Sequence, residues 1–213
     1  MITEVFKYMS LNSNYILSQF IRHFLISIYG VLFAAIIAIP LGFFISKRKM
    51  LNSTIVGFAN VLQTIPSLAM LSVLMIGLGI GTNTVVFAVF LYSLLPILKN
   101  TLAAIKSIPN SVKDAAKGVG MSKFQRIIKV KLPLSISVIM GGIRNALVVA
   151  IGVTAIGTFL GAGGLGDIIS KGINASNGGP IIISGVIPVV IMAVVSDISL
   201  SFIEKKLSYR YKK

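Results

Sequence analysis

Phe24-LISIYGVLFAAIIAIPLGFFI-Ser46 runs without one charged residue and, at roughly 1.5 Å per residue, is long enough to cross the ~30 Å hydrocarbon core of a bilayer as a helix. A helix is the required form, because a backbone amide left unpaired in hydrocarbon is too costly to tolerate. Working outward, the uncharged stretch Met50 to Leu98 has room for two more helices if it breaks at Gly77-LGI-Gly81-TN. Leu134 to Phe159 is apolar except for Arg144, and Ile181 to Ile203 except for Asp197. The spacing predicts five spans near 22–46, 54–77, 84–105, 134–158 and 181–204, an all-α polytopic membrane protein. Pro109, Pro133 and Pro180 fall where helices would begin and a missing N–H is harmless, whereas Pro40, Pro66, Pro96 and Pro188 fall inside spans.

Composition agrees with that reading. The 213 residues are 55% hydrophobic and 12% charged, with a mean hydropathy of +0.94, more apolar surface than a water-soluble core of this size can hide. The net charge of +15 would suit a nucleic-acid binder, but the basic residues flank apolar runs and are not interleaved with aromatics. With no Cys and a single His, His23, neither a thiolate site nor a metal-ligand cluster is expected. Met1-Ile-Thr-Glu4 lacks the basic start of a cleaved signal peptide, so the first apolar run is expected in the mature protein.

Basic residues also set an orientation. Lys47, Arg48 and Lys49, eight more between 99 and 131, and Lys205, Lys206, Arg210, Lys212 and Lys213 would share one side; Lys7, Arg22 and Lys171 face the other. Lys and Arg are held in the cytoplasm, which predicts the N-terminus outside and the C-terminus inside. Residues 1–21 then form an extracellular interfacial arm, 22–207 the membrane domain, and 208–213 a basic cytoplasmic tail.

The cytoplasmic segment 107–133, Ser107-IPNSVKDAAKGVGMSKFQRIIKVKL-Pro133, is too long and too charged for a tight turn. Ser111 with Asp114 makes an approximate capping box and Ser122 with Gln125 a proper one, predicting two short helices parted near Gly118 to Gly120. A basic amphipathic stretch of this kind could simply lie on anionic lipid. Its spacing resembles, however, the "EAA" coupling loop of ABC importer permeases: Asp114-Ala115-Ala116, three residues, Gly120, nine residues, then Val130-Lys131-Leu132-Pro133, with Asp for Glu and Val for Ile. That resemblance implies a loop that docks into a groove on a separate ATPase, through Asp114, Ala115, Ala116, Gly120, Val130, Leu132 and Pro133. No Gly-x-x-x-x-Gly-Lys-Ser/Thr loop exists in the chain, so ATP and its Mg are expected on that partner and no cofactor on this chain.

Arg144 lies eleven residues past Pro133, about 16 Å into the bilayer, where a charge costs about 2.5–3.5 kcal/mol unless it finds a partner. Asp197, at comparable depth, is the expected partner, with Asn60 or Gln63 completing the layer. Such a pair could be a static clasp between helices or a gate. Beyond the fourth span, Gly157-TFL-Gly161-A-Gly163-Gly164-L-Gly166-Asp167 precedes a short helix through Ile168, Ile169 and Ile173. Glycines at this density mark either close backbone packing or a moving segment at the pathway mouth.

The runs Phe24-LISIYGVLFAAIIAIPLG-Phe43, Asn60-VLQTIPSLAML, Phe90-LYSLLPILKNT, Arg144-NALVVAIGV and Gly161-AGGLGDII extend the resemblance over nearly the whole chain. They look like the permeases of osmoprotectant importers of Gram-positive bacteria, which move glycine betaine, carnitine or choline. The resemblance implies the five-helix methionine-importer-like fold, a bacterial cell-membrane location, two ATPases, an extracellular substrate-binding protein, and a second permease subunit, identical or paralogous. Another small polar solute such as an amino acid is the alternative cargo, and a non-transporting scaffold or channel the more distant reading. A membrane enzyme is disfavoured, since no nucleophile, base and orienting group occur together.

Overall fold

The computed structural model describes residues 1–210, with side chains as far as Leu207; the basic tail predicted at 208–213 therefore lies outside the described side chains. All elements among the described residues are helical: α1 (Ile2–Leu11), α2 (Ser13–Ile45), α3 (Lys49–Thr64), α4 (Ser67–Leu78), α5 (Thr82–Ser107), α6 (Asn110–Gly118), α7 (Lys123–Arg126), α8 (Leu132–Ile156), α9 (Leu165–Ile173) and α10 (Gly179–Arg210). A π-helical stretch, Ile127–Lys131, joins α7 to α8, and a 3-10 turn, Gly157–Leu160, ends α8. Four helical runs, Ser13–Ile45, Thr82–Ser107, Lys123–Leu160 and Gly179–Leu207, are long and apolar enough to cross a membrane, and the pair α3 and α4 passes that test together.

Helix α5 is the hub, packed against α2, α3, α4 and α8, while α10 covers α8 and α9. Why α2 fits so closely is legible in its residues. Gly30, Ala34, Ala38 and Gly42 recur every four positions, so they form one stripe, and all are buried. A Cβ at Gly30 would collide with Val89, and one at Gly42 with Thr101, both on α5. Small residues in register are how two helices approach in a membrane, where water supplies no driving force between them. The core continues through Leu71, Val85, Val89, Ile97, Ala146, Ile151, Leu165 and Ile168, each nearly or wholly buried.

Three expectations are corrected. The arm predicted over 1–21 is shorter than expected: α1 ends at Leu11 and packs on α10 with Val5 buried, and the long apolar helix α2 begins at Ser13. The second span is not one helix: α3 and α4 meet at 102° across Ile65-Pro66. Ile65 is extended (φ −68°, ψ 126°), as the residue before a proline prefers, and the hydroxyl of Tyr92 donates to the Ile65 carbonyl. Pro40, Pro96 and Pro188 by contrast sit within continuous helices. Finally, Pro133 does lie in the first turn of α8, but that helix has no free start, because α7 runs through the π stretch into it. A proline ring clashes with the carbonyl four residues back and removes its donor, and widening the preceding turn relieves both.

Candidate functional site

The segment between α5 and α8 folds as a hairpin of short helices turned at Gly120. Val119 closes α6, and Gly120 follows at φ +77°, in the left-handed region. Its N–H donates to the Lys117 carbonyl (3.0 Å) and that of Met121 to the Ala116 carbonyl (3.3 Å). This is a Schellman cap, whose left-handed position strongly favours glycine; no neighbour lies within 4 Å of a Cβ there, so conformation and not space requires it. Ser122 then opens α7 with a complete capping box, its Oγ accepting from the Gln125 N–H while the Gln125 side chain accepts from the Ser122 N–H. The box expected at Ser111 and Asp114 does not form: α6 starts two residues after Ile108, capped by Pro109, which leaves Ser111 inside the helix.

The hairpin presents apolar side chains outward. Val119 is 75% exposed and Phe124 70%, with Ile128 also exposed. Asp114, Ala115 and Gly120 are exposed, Ala116 is buried, and Val130, Leu132 and Pro133 are half-buried at the root of α8.

Arg144 sits between two carboxylates of α10. Its Nε and Nη2 each donate to Asp197 at 3.0 Å, a bidentate fork, and Nη1 donates to Glu204 at 2.9 Å. The Ser137 hydroxyl donates to the other Glu204 oxygen at 3.3 Å. Residues seven apart share a helix face, so Ser137 and Arg144 on α8 oppose Glu204 and Asp197 on α10 in antiparallel register. Sequence reasoning missed Glu204, which reads as the start of a charged tail before Lys205; its seven-residue spacing from Asp197 was the available signal.

Neither Asn60 nor Gln63 joins this cluster. Gln63 donates to the Tyr92 carbonyl (3.0 Å) on α5, and Asn60 is exposed. Helix α3, which carries both, packs chiefly on α5 and not on the α8 and α10 faces that hold the cluster.

At the opposite end of the bundle, Gly161, Gly163 and Gly164 all take positive φ, and the loop they form is tied to α2. Gly164 N–H donates to Gln19 Oε1 at 2.7 Å, and Leu165 N–H to His23 Nδ1 at 3.2 Å. Because Nδ1 accepts, His23 carries its proton on Nε2, which donates to the Ile151 carbonyl of α8 at 3.0 Å. His23 is fully buried. Gly166 lies directly on the Ala155 carbonyl with no room for a Cβ. Gly166 is thus required by close packing, whereas Gly161, Gly163 and Gly164 occupy left-handed backbone that favours glycine.

Asp167 on α9 accepts from the Tyr15 hydroxyl and pairs with Lys171 at 3.1 Å, while Lys171 also donates to Tyr15 at 2.6 Å. Burial pushes the Asp167 carboxyl up, but hydrogen bonds from Tyr15 and Lys171 and the charges of Lys171 and Arg22 outweigh it and hold the carboxyl below its ordinary value. The hydrogen bond to Tyr15, ahead of burial and with help from Asp167, raises Lys171.

These features coincide with a known group. Residues 30–209 match the family model described as "Binding-protein-dependent transport system inner membrane component". The chain is 54% identical over 205 residues to the carnitine transport permease protein OpuCD of Listeria monocytogenes serotype 1/2a (strain 10403S), covering 96% of this chain and 92% of that protein. It is 55% identical over 201 residues to the glycine betaine/carnitine/choline transport system permease protein OpuCD of Bacillus subtilis (strain 168), covering 94% and 88%. Among solved structures, an inward-facing conformation of the MetNI methionine ABC transporter (native crystal form) superposes with a TM-score of 0.82 at 18% identity, over 90% of this chain and 95% of that one.

Proposed function

Because the chain belongs to the binding-protein-dependent transport system inner membrane component family, the permease subunits of ABC importers, we propose that it carries a quaternary-amine osmoprotectant, glycine betaine, carnitine or choline, across the membrane. Identity of 54% and 55% with permeases named for those solutes, over nearly the full length, is the observation that supports this cargo. The fold likeness to a methionine transporter, at 18% identity, supports the architecture alone and leaves an amino-acid cargo without specific support.

The outward-facing hairpin around Gly120 is the ATPase contact in this reading. Val119 and Phe124 are the side chains that enter the partner's groove, and the Schellman turn fixes their separation. Movement of the partner is passed on through α7, the π stretch and α8 as one continuous helical run. The hairpin faces the cytoplasm and the glycine loop the exterior, where the substrate-binding protein docks. ATP and Mg stay on the ATPase.

Arg144, Asp197 and Glu204 keep 26%, 41% and 24% of their side chains exposed on this chain alone. Charged groups are not left to lipid at that depth. This face of α8 and α10 therefore turns toward the second permease subunit, where the cluster clasps the two helices. Proteoliposomes holding the permease, its ATPase and its binding protein test the cargo: ATP-dependent uptake of one or more of the three quaternary amines is expected, and uptake of amino acids in their place would reject the assignment.

A further inference from the structure

At the end of the bundle where α2, α5 and α8 reach the hairpin lies a cleft of about 570 Å³ lined by Lys47, Lys106, Lys113 and Lys131 together with Asn52 and Asn110. A smaller cavity shares Lys47, Lys113 and Lys131 with it and adds Arg126. Five cations thus converge from five separate pieces of chain: the α2–α3 turn, the end of α5, α6, α7 and the π stretch. None of them makes a salt bridge among the described residues, where the four ion pairs lie elsewhere. The Arg126 Nε–H is buried and has no hydrogen-bond partner. Like charges gathered without a counter-charge repel, and a buried guanidinium N–H without an acceptor loses its hydration, so an anion bound here would relieve both costs.

We propose that this cleft binds the phosphate headgroup of an anionic phospholipid. Its place and its walls choose that source over a soluble anion. Three helices apolar enough to span a membrane have their ends here, and Leu102, Ala103 and Ile105 make one wall of the cleft apolar, as an acyl chain requires. A diester headgroup reaches the lysines from the bilayer side and leaves Val119 and Phe124 free for another partner. Each basic residue at a membrane surface favours an anionic lipid roughly fivefold. The site is independent of which solute the protein carries and of which leaflet the hairpin faces.

The test uses the full-length permease with its ATPase, purified in detergent and examined by native mass spectrometry after titration with phosphatidylglycerol or phosphatidylcholine. Selective retention of phosphatidylglycerol is expected, falling roughly twentyfold in Lys47→Gln/Lys106→Gln, which spares the hairpin, and preserved in Lys47→Arg/Lys106→Arg. Lys205→Gln/Lys206→Gln, which removes the same charge elsewhere near the same surface, should change retention little. Equal loss in both Gln pairs would overturn the proposal, since it would mean surface charge and no site. Complete displacement by millimolar inorganic phosphate would overturn the lipid assignment in favour of a soluble anion. Protection of these lysines from acetylation by the ATPase but not by phosphatidylglycerol would show that an acidic protein segment occupies the cleft, and would also overturn it.

Discussion

Arg144 on α8 and Asp197 on α10 meet as a bidentate pair, with Nε and Nη2 each 3.0 Å from a carboxylate oxygen, and Glu204 one further pair of turns along α10 takes the remaining guanidinium nitrogen at 2.9 Å. Two carboxylates depend on one cation, which makes the cluster asymmetric. Arg144→Met should therefore destabilise more than Asp197→Asn or Glu204→Gln, by about 2 kcal/mol or more against about 1 kcal/mol for either of the others. Thermal unfolding of the purified protein in detergent reads this order. If a triple replacement by apolar residues restores both stability and transport, the cluster is a clasp; restored stability without transport would assign it to gating.

The turn at Gly120 gives a second prediction, because its need for glycine is conformational alone. Gly120→Ala should cost about 1–2 kcal/mol of local stability and weaken co-purification of the ATPase, while Gly120→Asn, which tolerates the left-handed region, should be milder. Equal binding by the wild type and Gly120→Pro would remove the hairpin from the motor contact.

Val119 and Phe124 are exposed, so their truncation should separate docking from folding. Phe124→Ala and Val119→Ser should leave the unfolding temperature within about 2 °C of wild type, since surface changes rarely exceed 0.5 kcal/mol. ATPase affinity should nevertheless fall about tenfold, as for a contact that carries binding energy. Pull-down with labelled ATPase measures it.

His23 joins the glycine loop to α8 through two buried hydrogen bonds. His23→Leu would strand the Leu165 N–H and the Ile151 carbonyl, with an expected cost of about 2–4 kcal/mol. Hydrogen exchange at Leu165 should accelerate along with the loss of stability; unchanged exchange would show that the loop is held by packing alone.

The Tyr15, Asp167 and Lys171 tie has a defined pH signature. Asp167 is lowered from its ordinary 3.8, so its contribution is full above that value and disappears as pH falls through the lower folded value. Lys171 is raised from 10.5, so its contribution is full below that value and is lost as pH rises through the higher folded value. Stability from this tie should be flat between about pH 5 and 9, and Asp167→Asn should abolish the acid-side loss measured by circular dichroism melts.

Much of this was legible in the sequence, for physical reasons that differ by element. Runs such as Phe24 to Ser46 must be helical in a bilayer, and Ser122 with Gln125 fixes a helix start locally. The break at Pro66 is not legible, because Pro40, Pro96 and Pro188 occupy continuous helices; what distinguishes Pro66 is a tertiary contact, the Tyr92 hydroxyl on the Ile65 carbonyl. Depth along a span gave Arg144 and Asp197 as possible partners but says nothing of azimuth, which is why Asn60 and Gln63 face elsewhere. His23, a lone histidine in an apolar run, shows no partner in sequence because both of its contacts are backbone groups more than a hundred residues away.

ATP-driven uptake tests the proposed role most directly. With the permease reconstituted beside its ATPase and binding protein, radiolabelled glycine betaine, carnitine or choline should accumulate in the vesicles only when ATP is present, and Gly120→Pro should reduce accumulation to background. Accumulation that proceeds equally without ATP, or that Gly120→Pro leaves intact, would contradict a permease driven through this hairpin.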